Sequence, residues 1–275
     1  MFVSTNERFA GEFETYLAET AFEKPTLSVE DTTDESEKFG VVGALAQLVD
    51  REGIDEDLVV VAGDNLISFD IAEFVDFFAD AGEPALAAYD VGSREKAKSY
   101  GLVELEGDRV VDFQEKPDDP KSTLVSIACY AFPAERLEDL STYLEAGENP
   151  DEPGWFIQWL QQRRTVRAFT FDGAWFDIGT PESYLDAIEW SLDGGTVVHE
   201  DATVTDSQLG ETVHVMADAT VEDATLERAV VFPEATVRNA EIRGSIIDRE
   251  TMIGSFDLSG ALIGAHTSIT DGGQF

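Results

Sequence analysis

The octapeptide LVVVAGDN (residues 58–65) decides the fold. Leu58 to Val61 is a continuous run of apolar, mostly β-branched residues, the mark of a buried strand. It stops at Ala62-Gly63, and Asp64 then stands at the strand tip. In α/β sheets ligands sit outside the carboxyl ends of the strands, so a carboxylate there is a candidate functional group. WFDIGTPESY (175–184) repeats the arrangement, with Trp175-Phe176 delivering Asp177. Two strand-end carboxylates suit one Mg²⁺, which takes one or two protein carboxylates plus substrate phosphates and keeps several waters. Between them, YGLVELEGDRVVDFQEKP (100–117) places two alternating runs around Gly107-Asp108, a hairpin signature. It ends in Glu115-Lys116-Pro117, where Lys116 supplies a point charge for a phosphate.

Outward from these stretches, residues 1–193 alternate strand-like and helix-like segments, the pattern of an α/β domain. A strand starts at Phe2-Val3, and a helix over Glu7–Glu19 carries Phe9, Phe13, Tyr16 and Leu17 on one face. A helix over Phe69–Ala81 repeats Phe69, Ile71, Phe74, Phe77 and Phe78 at helical spacing, which reads as core packing. Helices are also expected over Val42–Val49, Ala134–Leu144 and Phe156–Arg163, with Gly147–Gly154 as a loop. Thr180 and Pro181 form an N-cap and first-turn pair for the last helix.

After Asp193-Gly194-Gly195 the texture changes, and residues 194–275 read as a second domain. Val215, Val231, Ile247 and Ile263 stand 16 apart, as do Val221, Val237, Ile253 and Ile269, and Leu226, Ile242 and Leu258. Val198, Val204 and Leu209 open the same columns with one extra residue, assigned to a turn at Gly210. Three short strands per coil, each turning one aliphatic residue inward, make a parallel β-helix. The final coil is expected to be bare, packed on a neighbour, or capped by Gly272-Gly273-Gln274-Phe275.

Composition narrows the partners. The net charge is −39, with 57 acidic against 18 basic residues, and the acids are spread through every segment. An even spread reads as a halophilic surface, solvated in salt that screens charges within ~3 Å at about 1 M. Nucleic acid and anionic membrane are poor partners for it. Cys129 is alone, so no internal disulfide forms, and its place in LVSIACYAF reads as a buried strand. No apolar run approaches the roughly 20 residues of a membrane span, and no signal-peptide pattern opens the chain. A cytoplasmic protein is expected.

Gly63-Asp64-Asn65, Tyr100-Gly101-Leu102-Val103-Glu104, Glu115-Lys116-Pro117 and Trp175-Phe176-Asp177-Ile178-Gly179-Thr180-Pro181 resemble, in order, the motifs of sugar-1-phosphate nucleotidylyltransferases, nearest the glucose-1-phosphate thymidylyltransferase branch. The resemblance implies a mixed, largely parallel Rossmann-like sheet followed by a left-handed β-helix of hexapeptide-like repeats. It implies NTP and sugar 1-phosphate as substrates and Mg²⁺ as cofactor. Catalytic roles fall to Asp64, Lys116 and Asp177, with metal on Asp64 and Asp177. Glu115 meets sugar hydroxyls, Lys116 the sugar phosphate, Gly101 the sugar ring through its backbone, and Gly43, in EKFGVVGAL (37–45), the base. The family's G-x-G-T-R-x-x-P-x-T triphosphate loop does not occur in this sequence. The expectation is therefore a sheet lacking the family's first βα unit, from an internal start or a gene fragment, with a non-catalytic sugar-nucleotide binder or structural β-helix protein as the alternative function. A homo-oligomer contact through the β-helix is expected because an open coil end exposes strand edges. His199, His214 and His266 invite an acyltransferase reading, since some hexapeptide-repeat proteins use a catalytic histidine; solvent-side corner positions are the expected outcome.

Overall fold

The computed structural model describes residues 1–22, 24–30 and 39–271. It divides into two compact units, Met1–Ala62 with Phe69–Gly173, and Gly63–Ser68 with Ala174–Phe275. The elements up to the solenoid are β1 (Phe2–Asn6), α1 (Glu7–Glu19), β2 (Thr26–Glu30), α2 (Gly40–Glu52), β3 (Leu58–Val61), β4 (Asn65–Ile67), α3 (Ile71–Ala81), β5 (Ala85–Asp90), α4 (Arg94–Ala97), β6 (Gly101–Glu106), β7 (Arg109–Glu115), β8 (Leu124–Phe132), α5 (Glu138–Glu145), α6 (Pro153–Gln161), β9 (Arg167–Thr170), β10 (Trp175–Asp177) and α7 (Pro181–Ser191).

The first unit is built on a six-stranded sheet in the order β3-β8-β5-β9-β7-β6. The pairings make β3, β5, β6 and β9 run one way and β7 and β8 the other. Because β8 lies between strands of the opposite sense, most hydrogen-bonded pairs are antiparallel, and β5–β9 is the parallel one. The long strand β8 pairs with β3 through Cys129–Phe132 and with β6 through Val125 and Ser126. Its core joins Leu86, Phe113, Tyr130, Phe132, Phe156 and Leu160, all buried. Cys129 is buried as expected, and its thiol is pushed up to about 12 by that burial.

Several local expectations shift for identifiable reasons. The helix expected from Phe69 begins at Ile71, because the Asp70 side chain caps it by accepting the Ala72 N–H at 2.9 Å. Phe69 instead packs at a tilt on Phe171, with centroids 4.5 Å apart and an interplanar angle of 55°, while Phe74 and Phe78 enter the core. The segment expected as one helix over 134–144 splits into a short 3₁₀ turn at Ala134–Arg136 and α5. The helix expected over 42–49 extends to Gly40–Glu52, and Gly53 closes it in a left-handed conformation. Helix α1 has its expected length, but Phe9, Phe13 and Tyr16 are exposed. It packs on β1 and β2, a parallel pair too narrow to cover an aromatic face.

In the second unit, β4 and β10 form an antiparallel pair. Strands β11–β22, from Thr196 to Thr270, then wind a parallel β-solenoid of about five turns. Val215, Val231, Ile247, Val221, Val237, Ile253, Leu226 and Ile242 are all fully buried in its axis. Register steps of 17 residues (Leu209↔Leu226) give way to 16 (Val213↔Ala229), so the extra residue falls in the corner at 210–212. Each corner recurs with a left-handed residue: Asp218, Glu234, Glu250 and His266 in one column, Asp223, Asn239 and Ser255 in the next. Helix α7 lays Leu185 and Ile188 against the outward Val230 and Ile246. Its N-terminus carries the expected Thr180 cap, reinforced by Ser183 as a reciprocal capping box. Expected contributions from Glu37, Lys38 and Gly272–Phe275 lie outside the described residues.

Candidate active site

The expected site residues fall into two groups, one in each unit. In the second, β4 and β10 pair so that Asp177 stands opposite Asn65. The pairing runs one step further, with the Ile178 N–H donating to the Asp64 carbonyl at 2.8 Å. Asp64 and Asp177 therefore occupy neighbouring register positions at the mouth of one two-stranded ribbon. Gly63 and Asp64 lie in the turn preceding β4, so Asp64 is released from strand alternation. Its Oδ1 accepts the Asn65 side-chain amide at 2.8 Å, and the Asn65 Oδ1 accepts the Trp175 indole N–H at 2.6 Å. The Asp177 Oδ1 lies beside Gly179, where an added Cβ would stand 3.5 Å away.

The chemistry of this donor set fits Mg²⁺. Two carboxylates offer hard oxygen ligands, and among the described residues no cluster of three or more His, Cys, Asp or Glu could hold a metal. Mg²⁺ is commonly held by one or two protein carboxylates together with substrate phosphates and water.

In the first unit the β6–β7 ribbon brings Gly101 opposite Glu115. The Glu115 carboxylate is seated between two glycines. A Cβ at Gly101 would approach its Oε2 to 2.9 Å and the Phe113 ring to 2.3 Å; a Cβ at Gly154 would collapse onto the same oxygen. The Glu115 N–H donates to Gln158 Oε1 at 3.1 Å, which fixes the strand end to α6. Burial raises the Glu115 carboxyl to about 7; the neighbouring Glu152 carboxylate adds to the rise, and Lys116 opposes it. The Lys116 Nζ pairs with Glu152 Oε1 at 2.6 Å. Lys116 has φ +43°, a left-handed conformation that costs a non-glycine residue free energy and turns its side chain out of the strand alternation.

Gly43 lies on α2, not on the β6–β7 ribbon. It is buried in the first turn of α2, and apart from its own helix backbone and chain neighbours an added Cβ would meet Phe39 alone, at 3.0 Å. Glu152, Gly154, Gln158, Asn65 and the indole of Trp175 contact these candidate groups, and no sequence motif gave them a role. Proximity across 36 residues (Lys116 to Glu152) or 110 (Asn65 to Trp175) leaves no local pattern. The histidines lie on the solenoid: His266 is a left-handed corner paired with Glu250 at 3.2 Å, and the His199 Nδ1 accepts the Asp201 N–H. His214 on β14 (Val213–Val215) is part-buried, and desolvation holds its imidazole below the usual range.

A fold of this kind, with strand-end carboxylates and a parallel solenoid, has known counterparts. The nucleotidyl transferase family model matches residues 1–193, and the chain belongs to that family. Glucose-1-phosphate adenylyltransferase of Thermomicrobium roseum is 33% identical over 141 residues, covering 48% of this chain and 31% of the relative. The bifunctional protein GlmU of Methanocaldococcus jannaschii is 28% identical over 151 residues, covering 54% of this chain and 35% of the relative. The matches thus span about a third of these relatives' length. A Bacillus anthracis crystal structure assigned as a glucose-1-phosphate thymidylyltransferase, in complex with a sucrose, shares the fold at TM-score 0.56 and 21% identity, over 68% of this chain and 73% of that one.

Proposed function

We propose that the protein is a sugar-1-phosphate nucleotidylyltransferase that joins an NTP and a sugar 1-phosphate into an NDP-sugar and pyrophosphate. The observation that carries the reading is the neighbouring register of Asp64 and Asp177 on β4 and β10. A phosphate oxygen of the sugar 1-phosphate attacks the α-phosphorus of the NTP, the bond to the bridging oxygen of the β-phosphate breaks, and pyrophosphate leaves. Asp64 and Asp177 would hold Mg²⁺, which neutralises phosphate charge when bound. Lys116 orients the sugar phosphate as a point charge, releasing Glu152 to do so. Glu115, which titrates near 7, can accept from a sugar hydroxyl when ionised and donate when protonated. Gly101 leaves room for Phe113 and the Glu115 carboxylate, and so shapes the sugar side of the site. Gly43 belongs to the base side of the proposal by family resemblance.

The same proposal takes residues 1–193 as the transferase domain and 194–275 as the β-helix domain, with action in the cytoplasm of a salt-rich cell and homo-oligomer contacts through the β-helix. Among the described residues no helix is long and apolar enough to cross a membrane. The test is pyrophosphate release in molar KCl with MgCl₂ and a panel of NTPs and sugar 1-phosphates. Release with at least one pair is expected; none with any pair overturns catalysis. A second reading, a sugar-nucleotide binder without turnover, is favoured by the Lys116–Glu152 pair, which already neutralises the candidate phosphate-binding ammonium. NDP-sugar binding by calorimetry without pyrophosphate release would select it.

A further inference from the structure

Between Asp64 and the β10 strand lies a hydrogen-bond relay that the proposed reaction does not use. The Trp175 indole N–H donates to Asn65 Oδ1 at 2.6 Å, and the Asn65 Nδ2 donates to Asp64 Oδ1 at 2.8 Å. An indole nitrogen only donates and an ionised carboxylate only accepts, so the amide between them has one satisfied orientation. Trp175 and Asp177 are two apart on β10 and share a face, and Asn65 stands directly opposite Asp177. The relay thus sits on the same ribbon as both carboxylates. The other carboxylate oxygen of Asp64, Oδ2, has no hydrogen-bond partner among the described residues.

From this geometry we infer that Trp175 is a positioning residue for the metal site: through Asn65 it holds Asp64 by Oδ1 and leaves Oδ2 directed to a divalent cation. The inference rests on the assignment of Asp64 as a metal ligand made above. Without the indole the Asn65 amide loses the partner that sets its orientation. A turned amide would then present its carbonyl oxygen to the carboxylate, a repulsive contact. Partners of metal-ligating groups act at about 10–100-fold in metal affinity, and this relay falls in that class.

The test is Mn²⁺ binding to the full chain, read as free Mn²⁺ by electron paramagnetic resonance at constant ionic strength. Trp175→Phe keeps an aromatic ring and removes the N–H; it is expected to weaken Mn²⁺ binding about 10–100-fold while circular dichroism and the melting midpoint stay at wild type. Asn65→Ala should weaken it to a similar degree. Unchanged Mn²⁺ affinity in a folded Trp175→Phe protein overturns the relay, and so does a lowered midpoint with affinity intact, the signature of a purely structural indole. If Trp175→Phe does not fold, the wild-type chain decides. A saturable Mg²⁺-dependent shift of the Trp175 indole N–H resonance supports the relay, and a silent resonance overturns it. A wild-type chain that binds no Mn²⁺ removes the metal assignment itself, and the relay falls with it. Equal binding by wild type and variants removes only the relay.

Discussion

Replacing Glu115 by glutamine should change how stability depends on pH, by an amount the structure sets. Glu115 is held between Gly101 and Gly154 beside the Glu152 carboxylate, and its carboxyl titrates near 7 instead of 4.5. The native state therefore binds this proton more tightly than the unfolded chain. Its stabilising effect is complete below pH 4.5 and is lost as pH rises through 7. The difference corresponds to a ceiling of about 3 kcal/mol, and screening by solvent at a partly open site reduces it to about 1–2 kcal/mol. Glutamine reproduces the neutral form, with an amide that can donate to Glu152, and cannot titrate. The assay is urea unfolding followed by tryptophan fluorescence at pH 5 and pH 8 in molar KCl, for wild type and Glu115→Gln. Titrations common to both proteins cancel in the comparison. Wild type should lose about 1–2 kcal/mol more than the variant across that window. Equal losses would refute the assignment of a protonated Glu115 and, with it, its dual donor and acceptor role.

Other outcomes follow from the same geometry. Gly154→Ala places a Cβ on the Glu115 carboxylate, so the carboxylate must leave its seat; sugar 1-phosphate affinity by calorimetry should fall at least about tenfold, as one charge-assisted hydrogen bond is worth about 1.5–3 kcal/mol. Ile253→Ala empties a fully buried position on the solenoid axis and should cost about 2–5 kcal/mol in chemical unfolding. With a net charge of −39, lowering KCl from molar to about 0.1 M should lower the melting midpoint by on the order of 10 °C, because self-repulsion is then screened over about 10 Å instead of 3 Å.

What the sequence made legible was periodic or local. Columns 16 residues apart are enough to read the solenoid axis, because inward aliphatics at Val221, Val237 and Ile253 need no information from elsewhere in the chain. The Thr180 cap and the Gly107-Asp108 hairpin are equally local. The left-handed corners were less legible: Asp223, Asn239 and His266 are residue types that adopt this conformation readily, but Glu234 and Glu250 are not, and the solenoid imposes it on them. The aromatic face of α1 could be read as helical but not as exposed, since burial depends on what the fold sets against it. In the site, Asp64, Asp177, Glu115 and Lys116 stood out as polar groups ending apolar runs. Glu152, Gly154 and Gln158 did not, because they reach Glu115 and Lys116 from a loop and helix whose own pattern carries no trace of that contact.

The most direct test of the central claim, that Asp64 and Asp177 jointly serve nucleotidyl transfer, is Mg²⁺-dependent pyrophosphate release at saturating substrates by wild type, Asp64→Ala and Asp177→Ala. Each substitution is expected to lower kcat by on the order of 10³-fold or more, the scale of losing charge stabilisation worth several kcal/mol, with the melting midpoint preserved. Turnover within about threefold of wild type in either folded variant, a difference of under 1 kcal/mol, would contradict it.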